Sequence, residues 1–106
     1  MSPWILMSAL DLVFSRRAQI DLEDLLAFTE RLWGTNARDT FAQQILQRFN
    51  TLIQFPYMGS PRPEYGKGRR GYIIDSYLVL YTVTETDVRV ARIVHTKRDI
   101  DRALGE

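Results

Sequence analysis

A chain of 106 residues, 45% of them hydrophobic, is long enough for one domain with one core and needs no metal or crosslink to fold. It has no cysteine, which excludes disulfides, thiolate metal sites and cysteine nucleophiles together, and a single histidine makes a zinc or iron site improbable. The net charge of +1 says little as a total, but four cations (Arg62, Lys67, Arg69, Arg70) face one acid (Glu64) between Pro61 and Gly71. Such a cluster attracts phosphates or an acidic partner, or is a solvated loop with scattered arginines.

No stretch approaches the roughly 20 apolar residues of a membrane span, so no membrane partner is expected. The opening segment MSPWILMSAL is apolar but short and lacks a basic flank, unlike a signal peptide. Residues 1–9 are therefore read as a leader and 10–106 as the single domain, and the chain reads as cytoplasmic.

Leu10 to Ser15 alternates and is rich in strand formers, which predicts a first strand. From Asp21, Leu22, Leu25, Leu26, Leu32 and Trp33 recur at three-and-four spacing with Thr29 in the gap, the stripe of a helix lying on a core. Asp21 is the expected cap, Glu23 and Asp24 suit the positive end of the dipole, and Gly34 ends the helix. A second helix, capped by Thr35 or Asn36, carries Phe41, Ala42, Ile45, Leu46, Phe49, Leu52 and Ile53 until Pro56 stops it. The short link makes the two helices an antiparallel hairpin.

Tyr57 to Gly68 is dense in glycine and proline and reads as an irregular loop. Three strands follow: Arg70 to Ile74, Tyr77 to Val83, and Val88 to Val94 or His95, with tight polar turns that make an antiparallel meander. Arg98 to Leu104 suits a short closing helix. The order β-α-α-β-β-β predicts an α+β fold of two layers, with the helical hairpin packed on an antiparallel sheet.

Several of these segments resemble one family. The first strand ends Phe14-Ser15-Arg16-Arg17-Ala18, a helix reads DLEDLLAF, and the second helix runs into Phe55-Pro56-Tyr57-Met58-Gly59. Arg70 opens the second strand, Tyr77 and Tyr81 form a Tyr-x-x-x-Tyr strand, and Val90-Ala91-Arg92-Ile93-Val94-His95 leads into Arg98-Asp99-Ile100. Their ordered sum is similar to the ParE branch of the ParE/RelE toxin superfamily. The resemblance implies the toxin of a type II toxin–antitoxin pair, neutralised by a cognate antitoxin that wraps the helices and sheet. ParE-like members poison DNA gyrase, and RelE-like members cut mRNA on the ribosome.

Cleaving RNA through its 2′-OH requires proton transfer at two oxygens and cations for the developing phosphate charge. The nuclease branch places an arginine directly after the first tyrosine of the Tyr-x-x-x-Tyr strand, where this chain has Leu78, and a tyrosine near the C-terminus, where it has Ala103. These departures favour a gyrase-binding inhibitor over an enzyme. His95 is the residue a nuclease would use for proton transfer; otherwise it is a strand-end histidine bonded to backbone or to Asp99. Arg92 interrupts an aliphatic strand, either as a paired charge, with Asp75 or Asp99, or as a cation open to a partner. Tyr77 and Tyr81 share one strand face and read as packing residues, and Trp33 as the end of a buried stripe.

The candidate target-binding residues are thus Arg69, Arg70, Arg92, His95, Lys97 and Arg98, with no metal or cofactor. The partners implied by the resemblance are an antitoxin and gyrase, or the ribosome and mRNA for a nuclease. A toxin-fold protein that only binds its antitoxin is the remaining alternative.

Overall fold

The computed structural model describes residues 10–96; residues 1–9, read above as a leader, Lys97, Arg98, Asp99, Ala103 and the expected closing helix lie outside the described residues. The elements are β1 (Asp11–Phe14), α1 (Arg16–Trp33), α2 (Thr35–Gln54), β2 (Ser60–Pro61), a 3-10 turn (Pro63–Tyr65), β3 (Arg70–Ile74), β4 (Tyr77–Val83) and β5 (Asp87–His95). Two helices pack on one face of a five-stranded sheet of order β1-β5-β4-β3-β2, the expected α+β arrangement.

The meander β3-β4-β5 is antiparallel as expected. The sheet as a whole is mixed, because β1 pairs in parallel with β5, from Asp11↔Asp87 to Phe14↔Val90. Parallel pairing needs a long connection, and β1 passes directly into α1 without the tight turn an antiparallel partner requires. The proline- and glycine-rich loop also contributes β2, which pairs Ser60↔Gly71 and Pro61↔Arg70. Only two residues long and carrying Pro61, β2 has no alternation for sequence patterning to detect.

Helix α1 begins five residues before the expected Asp21 start. Ser15 is its cap, with Oγ accepting from the Ala18 amide at 2.9 Å. The first turn was hidden because Arg16 and Arg17 break the apolar stripe, yet Ala18 is fully buried and continues the spacing through Leu22 and Leu25. Gly34 serves both helices, at φ +95° and donating to the Glu30 carbonyl, and no side chain caps α2.

Trp33 does not end a buried stripe: it is 75% exposed, with Leu32 and Leu46 also in solvent. The buried residues of α1 are Ala18 and Leu25, so the hairpin tip projects beyond the core. Leu26 is half-buried at the rim of that core. Ile45, Phe49 and Leu52 of α2 are buried as expected, and Phe49 meets Phe14 edge-to-face at 5.2 Å. Tyr81 is fully buried in the helix-side core and Tyr77 packs against it, so both are packing residues.

The Tyr81 hydroxyl ties down the chain after α2. It donates to the Pro56 carbonyl at 2.7 Å and accepts from the Gly59 amide at 3.0 Å. A Cβ on Gly59 would lie 2.4 Å from that hydroxyl and 2.7 Å from the Gly71 carbonyl oxygen, so only glycine fits. Gly59→Ala should therefore lower unfolding free energy by about 2–4 kcal/mol in chemical denaturation, whereas Leu46→Lys should leave it within about 0.5 kcal/mol.

At the β4–β5 turn, Arg89 and the Thr84 hydroxyl donate to the Asp87 carboxylate at 2.7 and 2.8 Å. The Arg89 bond, then Thr84, holds the Asp87 carboxyl below its ordinary value. Its stabilising contribution is present above the unfolded aspartate value, about 3.9, and is lost as pH falls through the lower folded value. Stability measured from neutral pH down to about pH 3 should fall less steeply in Asp87→Asn than in the wild type.

Candidate functional site

The edges of this sheet are shorter than its centre. Strand β1 covers β5 only as far as Val90, and the register shifts there because Tyr81 faces Val90 and Leu80 faces Arg92, leaving Ala91 as a bulge. Beyond the bulge, side chains from the start of α1 take over from a strand. The Ser15 amide donates to Val90 O at 2.9 Å and its hydroxyl to Ala91 O at 2.8 Å. The Asp21 carboxylate then accepts the Ile93 amide at 2.9 Å.

Arg92 closes the same arrangement. Its Nε donates to Asp21 Oδ2 at 2.9 Å, and Arg17 Nε lies 3.6 Å from Oδ1. The Asp21 side chain is only 9% exposed, while Arg92 is 34% exposed. Arg92 is thus a paired charge whose partner among the described residues is not Asp75 but an acid 71 positions earlier, and Asp99 lies outside the described residues. The residue read as a helix cap is an edge acceptor for β5.

The opposite edge is treated in the same way with the charges reversed. Beyond β2, the Ile73 carbonyl accepts from Arg48 Nη2 at 2.6 Å. Arg48 Nε donates to the Tyr72 hydroxyl at 2.7 Å, and its guanidinium lies over that ring at 5.0 Å. Sequence reasoning missed Arg48 because it stands on the polar side of a clean apolar stripe. Asp21 and Arg48 together fasten one helix to each edge of the sheet.

Arg70 points toward the loop after α2. Its Nη2 donates to the carbonyls of Tyr57 and Gly59 at 2.9 and 2.6 Å, and its guanidinium sits 5.3 Å from the Tyr57 ring centre. These partners are neutral, so its charge is not cancelled. Arg69 is half-buried on the hairpin, with a buried Nε that has no hydrogen-bond partner. His95 lies opposite Tyr77 in the ladder and packs edge-on against its ring at 5.4 Å. The described candidates are therefore split between two places: Arg92 and His95 at the end of β5, Arg69 and Arg70 on the β2–β3 hairpin.

The centre of the sheet face turned away from the helices is apolar. Leu78 is 1% exposed there, packed with Leu80 and Val94 under Tyr65 from the 3-10 turn. A pocket between the helices and the sheet is lined by Leu22, Phe41, Ile45, Phe49 and Tyr77 among others, with no carboxylate or ammonium in its wall. Among the described residues no three acids, histidines or cysteines come together to hold a metal ion. No described helix is long and apolar enough to cross a membrane.

A protein of this architecture has been solved before. The structure titled "Chromosomal ParDE TA system from P. aeruginosa" superposes with a TM-score of 0.71, covering 85% of this chain and 99% of that one at 21% identity. Toxin ParE1 of Caulobacter vibrioides is 29% identical over 91 residues, 86% of this chain and 94% of the relative. Toxin ParE1 of Mycobacterium tuberculosis is 27% identical over 93 residues, 87% and 95% of the two chains. The fold is therefore the one that the solved structure has. The family model for the ParE toxin of type II toxin–antitoxin systems, parDE, matches residues 12–100, and the chain belongs to that family.

Removing the acid at the β5 edge tests the geometry. Asp21→Ala leaves the Ile93 amide and the Arg92 guanidinium without their acceptor, and should cost about 2–4 kcal/mol in denaturant unfolding. Asp21→Asn keeps an oxygen for the amide and should cost less than Asp21→Ala. Equal losses would show that the charge pair, not the edge acceptor, carries the stability.

Proposed function

We propose that the chain inhibits DNA gyrase by binding it and is neutralised by a cognate antitoxin in the cytoplasm. The observation that carries this reading is the place of Leu78. It stands where the nuclease branch has an arginine, and it is buried in an apolar cluster with Leu80 and Val94. A cation there would be desolvated with no acceptor, so the position cannot hold a scissile phosphate.

The remaining chemistry agrees. Stabilising a cleaved phosphodiester needs cations free to meet its developing charge, but Arg92 is paired with Asp21 and Arg70 holds two loop carbonyls. What the arrangement offers is a rigid surface with charge at two sites, suited to gripping a protein. Arg69, Lys97 and Arg98 are the target-contacting cations in this reading, and His95 is a packing residue at the end of β5.

An antitoxin fits the exposed apolar residues. Leu32, Trp33 and Leu46 on the helices, and Phe55, Tyr57 and Met58 after α2, are all in solvent. A disordered tail that orders on binding can cover several such positions at once.

Titrating the protein into a gyrase supercoiling assay, with ribosome-bound mRNA cleavage alongside, tests the proposal. Supercoiling should stop or cleaved DNA accumulate while mRNA stays intact, and His95→Ala should retain the inhibition. Cut mRNA that His95→Ala abolishes would replace this reading with a nuclease. No effect on either would leave a module that binds only its antitoxin.

A further inference from the structure

The β2–β3 hairpin holds an unneutralised concentration of positive charge. Continuing the register past Pro61↔Arg70 sets Arg62 opposite Arg69, and the Arg62 amide donates to Arg69 O at 2.8 Å. Like charges directly across a ladder repel. Glu64, 3.7 Å from Arg62, is the one acid in ion-pair range among the described residues. Lys67 and the uncancelled Arg70 add to the excess.

These guanidiniums are also held in a particular way. The Nε atoms of Arg62, Arg69 and Arg70 are all buried without a hydrogen-bond partner. The Arg62 stem lies over Gly71, where an added Cβ would meet its Cγ at 3.0 Å and its Nε at 3.2 Å. Arg70 spends its Nη2 on the Tyr57 and Gly59 carbonyls and keeps its full charge, while Arg62 and Arg69 hold their inner nitrogens in the protein with Glu64 as the acid near Arg62.

The neighbours point to the kind of partner. Phe55, Tyr57 and Met58 are exposed at the same end of the molecule, and Arg70 joins them to the cations by lying over Tyr57. Aromatic residues, methionine and arginine are the types enriched in protein interfaces. Nucleic acid would need an extended cationic track to reach useful affinity, whereas this chain has a net charge of +1 with its excess on one hairpin. Pro61 removes a donor from the edge strand, so side chains rather than a new ladder must hold the partner.

We propose that Arg62, Arg69 and Arg70, with Phe55, Tyr57 and Met58, form a docking surface for an acidic segment that has apolar residues between its carboxylates. Assigning that segment to the antitoxin tail rests on the reading above; the surface itself does not. Alternate residues of the hairpin face opposite sides of the sheet, so Arg70 meets the segment on the helix side and Arg62 and Arg69 on the other.

The test is an amide chemical-shift titration of the full chain with a short synthetic peptide alternating glutamate and leucine. Shifts should map to residues 55–71, and the same peptide with glutamine for glutamate should bind about tenfold more weakly. The double variant Arg62→Gln/Arg69→Gln should lose about tenfold in affinity for the glutamate peptide while keeping the wild-type Tm. Absent shifts, shifts confined to the helices, or equal binding of the two peptides would overturn the proposal. Tighter binding of a short DNA duplex to the hairpin would overturn it in favour of a nucleic-acid site. Gyrase plays no part in this titration, so the surface can fail while gyrase inhibition stands, and the reverse.

Discussion

A single carboxylate decides how the two layers of this molecule meet. A small sheet with short edge strands leaves backbone groups open at both rims, and open edges invite pairing with other chains. Asp21 takes the Ile93 amide where β1 has ended, and Ser15 takes the carbonyls on either side of the bulge. Arg48 supplies the complementary donor to Ile73 at the far side. The helices are therefore fixed at the edges as well as through the apolar core, and hydrogen bonds to charged groups set their register on the sheet.

This arrangement bears on function because it uses up charge. Arg92 is drawn into the Asp21 site, where its charge is paired, and Arg70 into the loop beneath Tyr57, where its partners are neutral. The centre of the outer face of the sheet holds Leu78, Leu80 and Val94. Its uncancelled cations sit on a hairpin beside exposed aromatic residues.

Much of the architecture was legible in the sequence, for reasons that can be named. The α2 stripe and the β4 run of β-formers carry strong periodicity, and the tight turns around Asp75 and Thr84 fix the antiparallel meander. Asp75 takes φ +54°, a conformation aspartate tolerates and a short turn requires. What escaped lay where periodicity is silent. The first turn of α1 is polar on its outer side, β2 is two residues long, and parallel pairing of β1 depends on a partner more than 70 residues away. At the site, the pairing of Arg92 was foreseen but not its partner, since no local rule links positions 21 and 92. Arg48 gave no signal at all, as arginine on the polar side of a helix is ordinary. Lys97 and Arg98 fall outside the described residues.

The most direct measurement of the central constraint is amide hydrogen exchange at Ile93. If Asp21 seals the β5 edge, this amide should exchange as slowly as the ladder amides of β4, near the rate set by global unfolding. Exchange on the timescale of an open strand edge would contradict the account. It would free Arg92 from Asp21 and return it to the surface as a cation available to a partner.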